Sequence, residues 1–175
     1  MDFATRKPNE FRDKFVNGYG LGGITRGLDI DKPLIAAING YAVSGGLEIA
    51  LACDLRFCSE NAKFGLQDVK WGFHACDGAL VRLPHIVGMG ATMELVLSGE
   101  LINAEHAHKI NLVNKIYPNN SLLEKTLEYA HLLSKRAPLA IKFAKQTLRN
   151  TVSMPLEDAL RHEVRSFYDL GQSED

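Results

Sequence analysis

Residues 39–54, NGYAVSGGLEIALACD, set two adjacent glycines, Gly45 and Gly46, beside a lone carboxylate, Glu48, in the most apolar part of the chain. The preceding KPLIAAI reads as a buried strand and the following LEIALAC as a helix. A strand that passes through Gly-Gly into a helix leaves the first backbone N–H groups of that helix without intrahelical acceptors. Those donors, with the positive end of the helix dipole, suit an anion or an oxyanion that develops during a reaction. Glycine lets a substrate approach the backbone closely, and Glu48 lies about one turn in, within reach of whatever the N–H groups hold. The plainer reading is relief of crowding at a tight junction, with Glu48 as first-turn electrostatics. Spacing alone leaves both open.

Other chemistry-bearing residues are weaker. Gly18, Gly20 and Gly23 match GxGxxG, the pattern of a dinucleotide site, but no strand precedes them and no clear helix follows. His106 and His108 are two apart on an expected helix, so they face different ways and form no ready metal pair. Met89, Met93 and Trp71 read as packing residues. Cys53, Cys58 and Cys76 lack CxxC spacing and are odd in number, which favours reduced thiols inside a cell.

The elements that must position Glu48 follow from pattern and length. A chain of 175 residues, 46% hydrophobic and of net charge −1, can bury one substantial core. It carries no basic stripe for nucleic acid and no apolar leader at its start. The apolar stretch 33–53 could pass for a membrane span, but Asn39, Glu48 and its glycines favour a strand-turn-helix core. A soluble intracellular protein is expected, with cytoplasm and mitochondrion indistinguishable.

Expected in order are a short amphipathic helix over 9–16, a glycine-rich link over 18–27, a strand over 34–38 and a helix over 46–53. A strand LRFCS, a short strand within 60–72, a loop over 72–78 and a long helical region follow. Asn103 is the expected cap of a helix that precedes a strand at LVNKIYP. The last third reads as helices over 121–150 and 155–170, with Pro138 at a break and Pro155 in a first turn. Strands early and helices late give an α/β core of residues 1–117 and a helical region of residues 118–175.

KPLIAAINGYAVSGGLEIALACDLRF, AKFGLQDVKWGF, RLPHIVG and MELVLSGELINAEHAHKINLVNKI, in that order, resemble the enoyl-CoA hydratase/isomerase (crotonase) family. The resemblance implies a crotonase-like α/β fold with a ββα spiral core. It also implies an acyl-CoA substrate, and a thioester enolate held between two backbone N–H groups. By position Gly45 is the second of those donors, Glu48 is one of two acidic residues, and Asp68 falls where the other stands. Two carboxylates can hold one water and share the base and acid roles as water adds to Cβ and a proton to Cα. Coenzyme A is part of the substrate, and no metal or organic cofactor is implied. The family's assemblies, trimers or pairs of trimers, imply a homo-oligomer built on the late helices.

The chain also departs from the family. Asp68 is one methylene shorter than the usual glutamate. The loop GFHACDG replaces a Pro-Gly-Ala-Gly-Gly-like run, which makes His74, Cys76 and Asp77 candidates for substrate binding and tuning. The resemblance implies that Met1-Asp2 stand at the end of an Ala-Gly-Ala-Asp-like loop that supplies the first oxyanion donor in relatives, and that a final helix is expected beyond residue 175. The expectation is an incomplete domain, the middle and later parts of a crotonase. Loss of one oxyanion donor costs on the order of 10²–10³ in rate, so the chain alone would be a poor catalyst unless something supplies the missing part. Alternatives are double-bond isomerisation and a non-catalytic subunit.

Overall fold

A computed structural model describes residues 17–27 and 30–172, so the helix expected over 9–16 lies outside the described residues. Two compact units emerge, one of residues 17–27 and 35–126, the other of residues 30–34 and 127–172.

The first unit is a coil of strands and helices in which the first four strands alternate between two sheets. Strand β1 (Ile35–Ile38) joins one sheet, and after two residues β2 (Tyr41–Val43) joins another, followed by α1 (Gly45–Ala52). The pattern then repeats, with β3 (Leu55–Ser59) in the first sheet and β4 (Lys63–Gly65) in the second. A 3-10 turn (Gln67–Trp71) and α2 (Ala79–Ser98) come next, then β5 (Ile102–Asn103), α3 (Ala104–Lys109) and β6 (Lys115–Tyr117). One sheet has the order β1-β3-β6, all parallel, with Ile35 opposite Leu55 and Phe57 opposite Lys115. The other is β2-β4-β5, parallel then antiparallel.

Sequence dictates much of this. LRFCS forms a strand buried along nearly its whole length, as a parallel strand covered on both faces must be. Leu47 and Leu51 of α1 join a core with Phe64, Leu66, Leu83, Leu112 and Val113. Each such side chain contributes about 1.5–3 kcal/mol on burial. Arg56 is buried within this unit and is satisfied by carbonyls, with Nε donating to Leu112 O and an Nη1 bond to Cys53 O, both at 2.8 Å. Asn103 caps α3 as expected, its side chain accepting from His106 N at 2.8 Å.

The stretch 33–53 folds as two short strands and a helix. Helix α2 has the length and apolar composition of a membrane crossing, yet Ala79, Leu83 and Leu95 are buried in the core. Its backbone also breaks at Gly88, where φ is 79° and ψ 164°, a conformation open to glycine.

Helix α4 (Leu122–Ser134) leads into the second unit, where α5 (Pro138–Thr151) and α6 (Leu156–Leu170) pack as a pair. Thr147 Oγ1 donates to Ser166 Oγ at 2.7 Å between them. Lys142 and Gln146 of α5 both bind Asp31 at 2.8 Å, and Lys145 Nζ donates to Lys32 O at 2.7 Å. Pro138 takes the first helical position of α5. Pro155 stands just ahead of α6 as its cap rather than in the first turn, since its ψ of 144° is extended.

Candidate active site

The junction from β2 to α1 builds the site. Ser44 links them with φ 48° and ψ −118°, an uncommon conformation for a residue with a side chain. Its N–H donates to Gly65 O at 2.9 Å and its carbonyl accepts from Glu48 N at 3.0 Å, which closes the first helical bond of α1. The N–H of Gly45 therefore stands at the helix start with no intrahelical acceptor. A side chain at Gly45 would bring its Cβ within 2.9 Å of Leu21 Cδ1, so the glycine lets residues 20–26 lie close against this helix end.

Glu48 is 3% exposed, and its carboxylate does not rest on its own helix. Oε1 accepts from Asp77 N at 2.6 Å and from Ala79 N at 3.2 Å, donors that open α2. Burial pushes the Glu48 carboxyl above the ordinary range, the two N–H bonds pull it back, and the Asp77 and Asp68 carboxylates push it up again. The net effect is a group that holds its proton more tightly than an exposed glutamate.

Asp68 lies on the 3-10 turn and is buried, and its Oδ2 is out of solvent without a hydrogen-bond partner among the described residues. Such atoms are rare, because a buried acceptor without a donor is costly.

Asp77 is fully buried and saturated. Oδ2 accepts from Leu21 N and Thr25 Oγ1, and Oδ1 from Arg26 Nε, each at 2.5 Å. Burial works to raise its pKa, but these bonds and the Arg26 charge outweigh burial and hold the carboxyl below the usual aspartate value. The side chain thus grips residues 20–26 and has no face toward solvent.

Gly20 makes that grip possible. Its φ is 70°, and a Cβ there would stand 2.8 Å from Asp77 Oδ1. Gly20 of the GxGxxG match thus lets the loop close around one of the protein's own carboxylates. Sequence reasoning missed Thr25 and Arg26 as part of this cluster. The one signal was a cation and a hydroxyl at the end of the glycine-rich link.

His74 and Cys76 are exposed and line a cavity of about 420 Å³ together with Thr25, Arg26, Leu80 and Arg82. The His74 ring pairs through Nδ1 with Ala75 O at 2.8 Å. Burial raises the Cys76 pKa, and the charges of Glu48 and Asp77 raise it further, so the sulfur stays a thiol. The structure therefore brings Glu48, Asp68, Cys76 and Asp77 into one electrostatic cluster, with Gly45 at the helix end beside Leu21. Among the described residues, no group of three or more His, Cys, Asp or Glu side chains is arranged to hold a metal ion.

Comparison with known proteins agrees with this architecture. A carnitinyl-CoA dehydratase of Salmonella typhi is 41% identical over 165 residues, which are 94% of this chain and 63% of the relative. This chain thus spans less than two thirds of that protein's length. An enoyl-CoA hydratase structure from Bacillus anthracis superposes with a TM-score of 0.89 at 29% identity, covering 98% of this chain and 66% of that one. One from Mycobacterium tuberculosis H37Rv gives a TM-score of 0.83 at 33% identity, covering 87% and 60%. The fold is crotonase-like, α/β with a helical C-terminal region. The profile of the enoyl-CoA hydratase/isomerase family matches residues 6–175, and the chain belongs to that family.

Proposed function

We propose that Glu48 and Asp68 are the acid–base pair of an enoyl-CoA hydratase or dehydratase, with Gly45 N–H as an oxyanion donor. The observation that carries this reading is the buried Oδ2 of Asp68, without a hydrogen-bond partner among the described residues and in the electrostatic field of Glu48. A water molecule held between the two carboxylates would supply Asp68 with its donor. In the hydration direction a carboxylate takes a proton from that water as its oxygen attacks Cβ. The thioester oxygen gains charge and is stabilised by the Gly45 N–H at the positive end of α1. A proton then passes from a carboxylic acid to Cα, and dehydration is the reverse. The names of the relatives, a dehydratase and hydratases, describe one step in two directions.

Burial raises the pKa of Glu48, which suits a group that must both take and give a proton. His74 and Cys76, on the cavity wall, would meet the acyl part of the substrate. The step as written uses no metal or organic cofactor, and coenzyme A enters as part of the substrate.

Asp68→Asn tests the pairing. It keeps the shape of the side chain and removes its charge, and hydration should fall by about 10²-fold or more. If hydration by Asp68→Asn equals that of the parent, the two-carboxylate reading fails. Isomerisation of the double bond by Glu48 alone would then take its place.

Assembly with further copies is part of the same proposal. Helix α6 bears Leu156, Leu160, Val164 and Phe167 on one stripe, all more than half exposed. Leu160→Glu with Val164→Lys should convert an oligomer seen by light scattering into monomers. A parent chain that is monomeric at micromolar concentration would contradict this.

A further inference from the structure

The peptide unit between Cys76 and Asp77 is held from both sides. Its carbonyl, Cys76 O, accepts from Arg26 Nη2 at 2.5 Å, and its N–H donates to Glu48 Oε1 at 2.6 Å. A peptide unit is planar and rigid, so a group that fixes the carbonyl fixes the direction of the N–H. A guanidinium on the carbonyl also polarises the unit and makes its N–H a stronger donor. The same Arg26 bonds through Nε to Asp77 Oδ1, which fixes the next side chain along. Arg82 spans the junction as well, donating to Thr25 O at 2.6 Å and to Asp77 O at 3.4 Å.

We infer that Arg26 is a positioning residue for Glu48, acting through the Cys76–Asp77 peptide unit. It sits fifty residues from that unit in sequence and its side chain is about a third exposed, 35%. The loop of residues 20–26 and the Glu48 carboxylate then move as one piece, and order in the loop sets the aim of the acid–base group. The inference rests on the reading of Glu48 as the acid–base group, and its test is chosen to stand apart from turnover.

That test is the pH titration of the Asp77 amide in the ¹H–¹⁵N spectrum of the whole chain. An N–H that donates to a carboxylate follows its ionisation, and Glu48→Gln identifies the response as that of Glu48. The ionisable groups facing Glu48 are Asp68 from the 3-10 turn and Cys76 and Asp77 from the loop before α2, with Arg26 and Arg82 beyond Asp77. Arg26→Gln should cut the amplitude of the Asp77 amide response by more than half. It should also speed exchange of that amide by about fivefold, the equivalent of one weakened hydrogen bond. Arg26→Lys, which keeps the charge but not the fork that binds Asp77 Oδ1 and Cys76 O together, is the milder variant if Arg26→Gln fails to fold and should also lower the amplitude. Thr25→Val, which removes only one bond to Asp77 Oδ2, should leave most of it in place.

An Arg26→Gln protein whose loop loosens while the Asp77 amide titrates at full amplitude would make Arg26 a loop fastener only and overturn the inference. A parent chain with the amide response present, and lost in Arg26→Gln, supports the inference even if it turns over no enoyl-CoA; only the functional reading would then fall.

Discussion

Glu48→Gln is expected to lower water addition to an enoyl-CoA by about 10²–10⁴-fold, the usual share of a positioned acid–base group. The fold should survive the change. Glutamine is isosteric and its Oε1 can still accept from Asp77 N and Ala79 N, the bonds that tie α1 to the start of α2. Stability should even rise at neutral pH, and the sign follows from linkage. Glu48 titrates above its ordinary value of 4.5 in the folded chain. Its contribution is therefore fully present below that value and is lost as pH rises through the folded pKa. Glutamine has no such loss. Initial rates and thermal melts of the two proteins at pH 5 and pH 8 check both halves. A Glu48→Gln protein with the parent's rate would remove Glu48 from the chemistry. In the parent, the acid limb of kcat/KM should lie above the range of an exposed glutamate.

Asp77→Ala should be the most destabilising single change at the site. It strips the acceptor from Leu21 N–H, the Thr25 hydroxyl and Arg26 at once, and leaves a hollow where a fully buried carboxylate stood. The cost is roughly 3 kcal/mol, the scale of a broken buried charged network, moderated because Arg26 can turn toward water. Acid should reproduce the loss in the parent. The folded pKa of Asp77 lies below its ordinary value of 3.8, so its contribution is present above that pH and is lost as pH falls through the folded pKa. Urea titrations of parent and variant should differ most above pH 4 and converge as acid protonates Asp77. Equal midpoints at pH 7 would show that the three bonds to Asp77 contribute nothing net.

What the sequence made legible was local. LRFCS has the length and branching of a buried strand, and Asn103 and Pro138 mark helix starts by their own chemistry. Gly45, Gly46 and Glu48 pointed to a helix N-terminus because that geometry spans only a few residues. Strand β2 went unread because its three residues continue the apolar run of β1, and only the switch between sheets separates them. The two-residue β5 and the 3-10 turn carry too little pattern to register. The place of Asp68 came from resemblance, since no spacing rule relates residues 48 and 68.

Least legible was the cluster around Asp77. Its bonds join residues more than fifty apart in sequence, and the glycine-rich loop that makes them looks like a nucleotide loop when read as a string. Their common partner is a carboxylate, an anion as a phosphate is, which explains why a phosphate-like pattern can serve an internal contact. Long-range ion pairs of this kind have no periodicity to betray them.

The central claim is that this site adds or removes water at the α,β bond of a CoA thioester. The direct measurement is incubation of the purified chain with a short α,β-unsaturated acyl-CoA in D₂O, followed by mass spectrometry and NMR of the acyl group. Expected is a 3-hydroxyacyl-CoA carrying one deuterium at Cα, formed slowly by the parent and about 10²-fold or more slower still by Glu48→Gln. An acyl-CoA that binds to the folded chain and is returned without hydroxyl or deuterium would contradict it and leave a binding subunit in its place.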